Sequence, residues 1–380
     1  MAGPLKILYL IDIIDGDLSG TENQLIKMIS GLQGRFDIQL VCFDDSPWFR
    51  EFSGRFGCGS RVYYINKFTK PYTYINLIRL IWFMRKYKPD VVHTFFPVGN
   101  SLGVMAARLA GIKSTISSRR DYGEWMNGRY LMATRMANRF VTKIIANSQE
   151  VKELTEKREK TRNGQVGVIL NGIDTASFIN VERDTGLKKR LGIPDEDKVV
   201  GIVANFRPMK RHQTFLHAAC EILKTDKNVS FVLVGQGYGA YSTEEQIKAL
   251  GESLNIKNKL FFVGSQKNVI PYLSIMDVGV NCSEMEGLSN AIMEYMAAGV
   301  PCVVSRAGGN SNLITNNENG YTFELNDYKT LAELIVKLLQ DDKTRRKFID
   351  RAREKIEKEM SLESMLSSYE TLYKKLAKVN

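Results

Sequence analysis

The chain has little of what would suit it to an oxidising compartment, a bilayer interior or a metal centre. Five cysteines (Cys42, Cys58, Cys220, Cys282 and Cys302) are odd in number, scattered, and never spaced as C-x-x-C. That excludes a disulfide framework and a zinc ribbon, and leaves reduced core thiols. The three histidines, His93, His212 and His217, stand at no metal-ligand spacing. No apolar run reaches the ~18 residues of a membrane-spanning helix, and there is no short-period repeat or low-complexity segment. The opening residues, MAGPLKILYLIDIID, lack the basic region and small-residue cleavage site of a secretory signal. They read as a first buried strand, and the chain is expected in the cytoplasm.

What is present is ordinary globular composition, 44% hydrophobic and 25% charged, in 380 residues. That length exceeds the ~250 to 300 residues at which single cores stop growing, so two domains are expected. One pattern is used twice. Apolar, β-branched runs near 5–11, 38–43, 61–65, 89–93, 114–117, 143–146 and 166–170 alternate with helical segments such as TENQLIKMISGL. A second series runs KVVGIVA, VSFVLVG, LFFVG, DVGVN, PCVVS and GYTFE. Alternation of this kind implies parallel sheets, so the fold class is α/β, with two doubly wound domains facing a cleft. The expected boundaries are 1–178 for the first domain, a polar linker over 179–197, and 198–361 for the second. An amphipathic helix follows at about 362–380.

The net charge of +11 is unevenly placed. Residues 1–180 hold 25 Lys and Arg against 16 Asp and Glu, whereas 181–380 hold 28 against 26. The first half therefore carries the positive field, which suits an anionic partner. Two of its segments, KPYTYINLIRLIWFMRKYKPD and RRDYGEWMNGRYLMATRMANRF, mix cations with aromatics. Such segments suit an anionic membrane surface, and equally a core helix with a solvated face. With no recognisable binding motif, nucleic acid is not an expected partner.

Ligands of open parallel sheets sit beyond the carboxyl ends of the strands, so the informative residues follow strands. After the first strand, Gly20 permits close backbone approach and Thr21-Glu22 open a helix whose amides attract anions. Asp15 and Asp17 have the spacing of a metal-holding pair, but nothing else supports Mg²⁺, and no metal or cofactor is expected. After VVGIVA, the cations Arg207, Lys210 and Arg211 crowd a loop entering a helix, which suits a diphosphate. After DVGVN comes SEMEGLSNAIMEYMAAGVP. Ser289 is a candidate N-cap there, with Gly299 and Pro301 as the stop. Ile292, Tyr295 and Met296 read as the apolar side of this helix, and Asn290, Glu294, Ala297 and Ala298 as a small-residue face open to a ligand. Glu286 in the loop and Glu294 in the helix are acceptors suited to sugar and ribose hydroxyls.

This stretch resembles the E-x7-E signature of retaining glycosyltransferases of the GT-B fold, the group called family 4. SGTENQLIKMISGL, PDVVHT, ANSQEVKE, ILNGIDTASF, VANFRPMKRH and LVGQG are similar to further family segments, in the usual order. The resemblance implies that Glu286 contacts the donor sugar and Glu294 the ribose. Gly287, Leu288 and Ser289 would present their backbone to sugar and diphosphate. Lys210, with Arg207 displaced from its usual place, would bind the diphosphate, and Gly20 would lie beneath it. The two domains would be Rossmann-like, and the last helix would cross back to the first. The family's frequent histidine is absent, and Arg119 and Arg120 stand in its segment as candidate catalytic cations. His93 reads as structural.

The function implied is metal-independent transfer of a sugar from a nucleotide-sugar, UDP rather than GDP, to a glycan or lipid-linked acceptor. The place implied is the cytoplasm, including the inner membrane face. A weak or inactive donor-binding scaffold subunit is the alternative. A glycoside hydrolase fits poorly, because it needs carboxylates flanking one bond and no phosphate loops.

Overall fold

The computed structural model describes residues 3–16, 20–65, 70–123, 128–179, 181–237 and 239–378. Two compact units divide the chain. The first comprises Met1–Gly172 with Leu362–Asn380, and the second Ile173–Ser361.

The first unit holds a seven-stranded sheet made of β1 (Lys6–Ile11), β2 (Asp37–Cys42), β3 (Gly59–Val62), β4 (Val91–Thr94), β5 (Thr115–Arg119), β6 (Lys143–Ala146) and β7 (Val166–Val168). Its order is β3-β2-β1-β4-β5-β6-β7, with every pairing parallel. Strand β1 is covered on both faces, so its residues alternate between two cores rather than between core and solvent. Ile7, Tyr9 and Ile11 pack with Leu25, Met28 and Ile29 of the helix Gly20–Leu32 and with Tyr369 and Tyr373 of the last helix, Leu362–Ala377. Leu8 and Leu10 pack on the other face with Leu80, Met84 and Ala106. At Gly31 a β-carbon would fall 2.3 Å from Leu366 Cδ1, so a larger residue there would have to displace the Leu366 side chain.

The second unit repeats the plan with β8 (Lys198–Val203), β9 (Val229–Val234), β10 (Leu260–Phe262), β11 (Val278–Asn281), β12 (Cys302–Ser305) and β13 (Tyr321–Phe323). Its all-parallel order is β10-β9-β8-β11-β12-β13. The expected linker is corrected here. The first unit ends at Gly172, and 179–197, apart from the undescribed 180, contains the helix Thr185–Leu191 and belongs to the second unit. Asp184 caps that helix, Leu187 and Ile193 are buried, and Arg183 forks onto Asp277 at 3.0 and 3.1 Å. The polar surface of this short helix is what made it resemble a loop.

Candidate active site

In the second unit two loops at the carboxyl ends of neighbouring strands meet. The first leaves β8 and makes a tight 3-10 turn, Pro208–Lys210. Arg211 then adopts the left-handed conformation (φ 51°) before the helix His212–Thr225. The second leaves β11 and runs from Cys282 to Ser289, the N-cap of the helix Asn290–Ala298. A backbone bond from the Glu284 amide to the Met209 carbonyl, 2.9 Å, pins one loop to the other.

Two ion pairs cross this seam. The Lys210 ammonium meets Glu286, whose same oxygen accepts from Ser283 Oγ at 2.9 Å. The Arg211 guanidinium meets Glu284, with Nε at 2.7 Å. Glu284 and Glu286 are two apart in this loop, and their carboxylates meet the adjacent Arg211 and Lys210. The sequence reading missed Glu284. Its signal was the E-x-E spacing opposite a Lys-Arg dipeptide. Arg207 is exposed at the start of the turn.

Beneath the loop lies a buried polar net. The Asn281 amide donates to Ser289 Oγ (3.2 Å), the Ser283 amide to Asn281 Oδ1 (3.0 Å), Ser305 Oγ to the Ser283 carbonyl (2.5 Å), and Asn310 to the Ser305 carbonyl (3.1 Å). A β-carbon on Gly309 would lie 2.1 Å from the Gly287 carbonyl, and its amide donates to the Glu286 carbonyl at 2.7 Å. These bonds fix the loop's path. Among the described residues, the amides of Gly287, Leu288 and Ser289 donate to no other group of the protein. Three buried or nearly buried donors without acceptors, at a helix start, are a ready anion site.

Tyr295 anchors the helix. Its hydroxyl accepts from the Val203 amide (2.7 Å) and donates to the Val280 carbonyl (3.2 Å), which spans β8 and β11. The buried face is wider than the sequence suggested. Met293 and Ala297 join Ile292, Tyr295 and Met296 in the core, so Ala297 leaves the open face. The line still partly open is Asn290, Glu294 and Ala298, at i, i+4 and i+8. Nearby, burial pulls the pKa of His212 down from 6.5 to about 4, despite a backbone contact at Ala204, and its ring stacks on Phe206 with centroids 4.4 Å apart. It is a neutral aromatic spacer.

In the first unit Gly20 opens its helix and is exposed. Asp17 lies outside the described residues, and the Asp15 amide donates to Glu22 at 3.0 Å. No group of three or more potential metal-binding side chains occurs among the described residues.

The expectation for Arg119 is overturned. Its guanidinium is 6% exposed and forks onto Glu159 at 2.8 and 2.8 Å, with further bonds to Ser117 Oγ, the Ser118 carbonyl and Asn138. Every donor face is used, so it is a structural cation with nothing left for a substrate. Burial pushes the Glu159 carboxyl up, but Arg119 and Asn138 outweigh it and hold the pKa below the ordinary value. Arg120 is half-buried and donates to Asn171. Burial lowers its pKa, against the pull of Tyr369. His93 is wholly buried between Tyr373 Oη and Ser118 Oγ, each 2.8 Å away. Burial and the charge of Arg120 keep it neutral, as a structural residue would be.

Two all-parallel α/β units of this topology define the two-domain, Rossmann-like GT-B fold. The same fold recurs in Anabaena Alr3699/HepE in complex with UDP, with a TM-score of 0.85, 20% identity, and 97% and 99% of the two chains covered. It recurs also in a glycosyltransferase from Rickettsia africae, with a TM-score of 0.88, 19% identity and both chains covered in full. The family model Glycosyltransferase Family 4 matches residues 18–177, and Glycosyl transferases group 1 matches 184–355. The chain belongs to the GT-B glycosyltransferases of the family 4 type. Among its relatives, the N-acetyl-alpha-D-glucosaminyl L-malate synthase of Bacillus anthracis is 32% identical over 56% of this chain and 54% of its own length. The UDP-Gal:alpha-D-GlcNAc-diphosphoundecaprenol alpha-1,3-galactosyltransferase of Escherichia coli is 27% identical over 84% and 87%.

Proposed function

We propose that the chain is a retaining glycosyltransferase. It moves a sugar from a UDP-sugar to a glycan or lipid-linked acceptor, without a metal, at the cytoplasmic face of a membrane. The observation that carries the donor site is the Lys210–Glu286 pair beside the unused amides of Gly287, Leu288 and Ser289. A diphosphate arriving there takes Lys210 from Glu286 and accepts from the amides. The freed Glu286 then turns to hydroxyls of the transferred sugar, while Glu294 takes those of the ribose. Negative charge grows on the diphosphate as the glycosidic bond breaks, and Lys210, with Arg207, stabilises it where it develops. A UDP-linked donor and a lipid-linked acceptor are supported by the name of the Escherichia coli relative, and UDP by the Anabaena complex.

For the membrane, the support is the helix Pro71–Tyr87. Tyr74, Ile75, Ile78 and Trp82 are exposed on it by 53–66%, beside Arg79, Arg85 and Lys86. No helix among the described residues is long and apolar enough to cross a bilayer. Between residues 52 and 120 the sequence holds 12 Lys and Arg against one carboxylate, Asp90.

The structural commitment of Arg119 favours a second reading, a donor-binding subunit that turns over weakly or not at all. One assay separates the two. Incubated with UDP- and GDP-sugars in excess EDTA, the transferase releases nucleotide from one of them, and Lys210→Ala stops the release. Saturable binding without release supports the scaffold. Abolition by EDTA with rescue by Mg²⁺ defeats the metal-free assignment, and binding of no nucleotide-sugar defeats both readings.

A further inference from the structure

At the amino-terminal ends of β5, β6 and β7, opposite the strand ends where donor-type ligands sit, the first unit has a second concavity of about 670 Å³. We infer that it holds the phosphate headgroup of an anionic lipid, with Arg108, Lys113, Arg139 and Arg162 as its cations. This rests on the reading that the first unit meets an anionic membrane.

Each of the three successive connections into β5, β6 and β7 brings one cation to the same place: Lys113, Arg139 and Arg162. Arg108, from the helix Val104–Leu109, is the fourth, and no carboxylate lines the cavity. A basic residue near a helix carboxyl end is common, because it answers the helix dipole. Four around one hollow exceed that need. Like charges so placed repel unless an anion joins them, and a phosphate oxygen accepts from several at once.

The cavity is also preformed. The walls are tied by Thr142 Oγ1 to the Lys113 carbonyl (2.9 Å), Arg162 to the Val141 carbonyl (2.6 Å), and Gln165 to the Asn138 and Val141 carbonyls (2.8 and 2.7 Å). A site fixed in advance loses little freedom on binding.

The rim selects lipid over soluble phosphate. Phe140 lines the cavity, 40% exposed, with the Arg108 guanidinium 5.9 Å from its ring, and Leu109 and Met136 stand 57% and 55% exposed nearby in sequence. Arg85, from the apolar-faced helix Pro71–Tyr87, donates to the Leu109 carbonyl at 3.0 Å and so joins that face to the rim. Charge with adjoining apolar surface matches a headgroup above acyl chains.

The test is co-sedimentation with phosphatidylglycerol and with phosphatidylcholine vesicles. It compares the full chain, Lys113→Ala/Arg139→Ala, and Arg50→Ala/Arg55→Ala, which removes the same charge from exposed positions just before β3, at the opposite edge of the same sheet. Affinity for phosphatidylglycerol should fall about tenfold or more in the first variant, and at most two- to threefold in the second. Equal losses in both, or none, overturn the pocket while leaving the membrane reading intact. No binding of the unaltered chain to phosphatidylglycerol overturns the membrane reading itself. Calorimetric titration with glycerol phosphate should show no saturable heat. Tight saturable binding that Lys113→Ala/Arg139→Ala abolishes would assign the pocket to a soluble phosphoester and defeat the lipid assignment.

Discussion

A carboxylate–cation pair stands at the carboxyl end of a strand in each unit, Arg119–Glu159 in the first and Lys210–Glu286 in the second, and the two have opposite uses. In the first unit Arg119 and Glu159 are 6% and 1% exposed, and the guanidinium's donor faces are all satisfied. In the second, Lys210 and Glu286 are 20% and 13% exposed, joined through one oxygen that Ser283 shares. A sealed pair with full partners cannot be exchanged, because breaking it strands a buried charge. An ammonium with one protein acceptor, at the edge of solvent, keeps donors that an incoming diphosphate can claim. Charge type is identical in the two places. Burial and the number of competing partners decide which one is structure and which is site.

The comparison breaks first if Arg119→Met is mild. That change leaves Glu159 uncompensated in the core, so stability in urea should fall by about 3–5 kcal/mol, with the carboxyl's pKa raised. Nucleotide affinity of the folded fraction should not change. Lys210→Ala should do the reverse. Stability should alter little, while nucleotide release from the donor slows by about 10²–10³-fold, the scale for removing one transition-state donor. Loss of stability comparable to that of Arg119→Met would erase the contrast.

The two glutamates sharpen it further. Glu294→Ala should weaken binding of free UDP by ~1.5–3 kcal/mol, or roughly ten- to a hundredfold, in calorimetric titration. Glu286→Ala should bind free UDP as well as before or better, because it releases Lys210, while turnover falls. Equal loss of UDP binding in both variants would refute these roles.

A further difference is in acid, and it vanishes at neutral pH. His212 in the folded second unit binds its proton only near pH 4, whereas the unfolded chain binds at about 6.5. Between those values the unfolded state holds more protons. Stability is therefore complete above about pH 6.5 and is lost as pH falls toward 4, by at most about 1.4 kcal/mol per pH unit from this group. His212→Phe, measured by urea unfolding at pH 7 and 5, should reduce that dependence. His93, lowered in the same sense by burial, leaves a share of it in the first unit.

The strands were legible because parallel strands covered on both faces are written as short continuous apolar runs. Val91–Thr94, Val229–Val234 and Cys302–Ser305 lie within a residue or two of the expected spans. The helix opening at Ser289 was legible from its cap and its glycine stop. Long-range charge pairing was not. Glu159 lies 40 residues beyond Arg119, so no local spacing announces that pair, and Glu284 lies 73 beyond Arg211, marked only by the E-x-E spacing of its own loop. The helix Thr185–Leu191 was hidden for another reason. It is short and polar, and its fixing contacts, Arg183 to Asp277 and the Asp184 amide to Ser274, come from residues about 90 positions away.

The return of the last helix to the first unit sets an order of events at the ribosome. Residues 173–361 are continuous, and the second unit is complete once Ser361 has emerged. The first unit, though synthesised earlier, lacks Tyr369 and Tyr373 until residues 362–380 follow, and its face around Tyr9 and His93 stays uncovered meanwhile. The part made second is thus the first able to finish folding. A chain ending at Ser361 would keep one whole domain and leave the other with an open core.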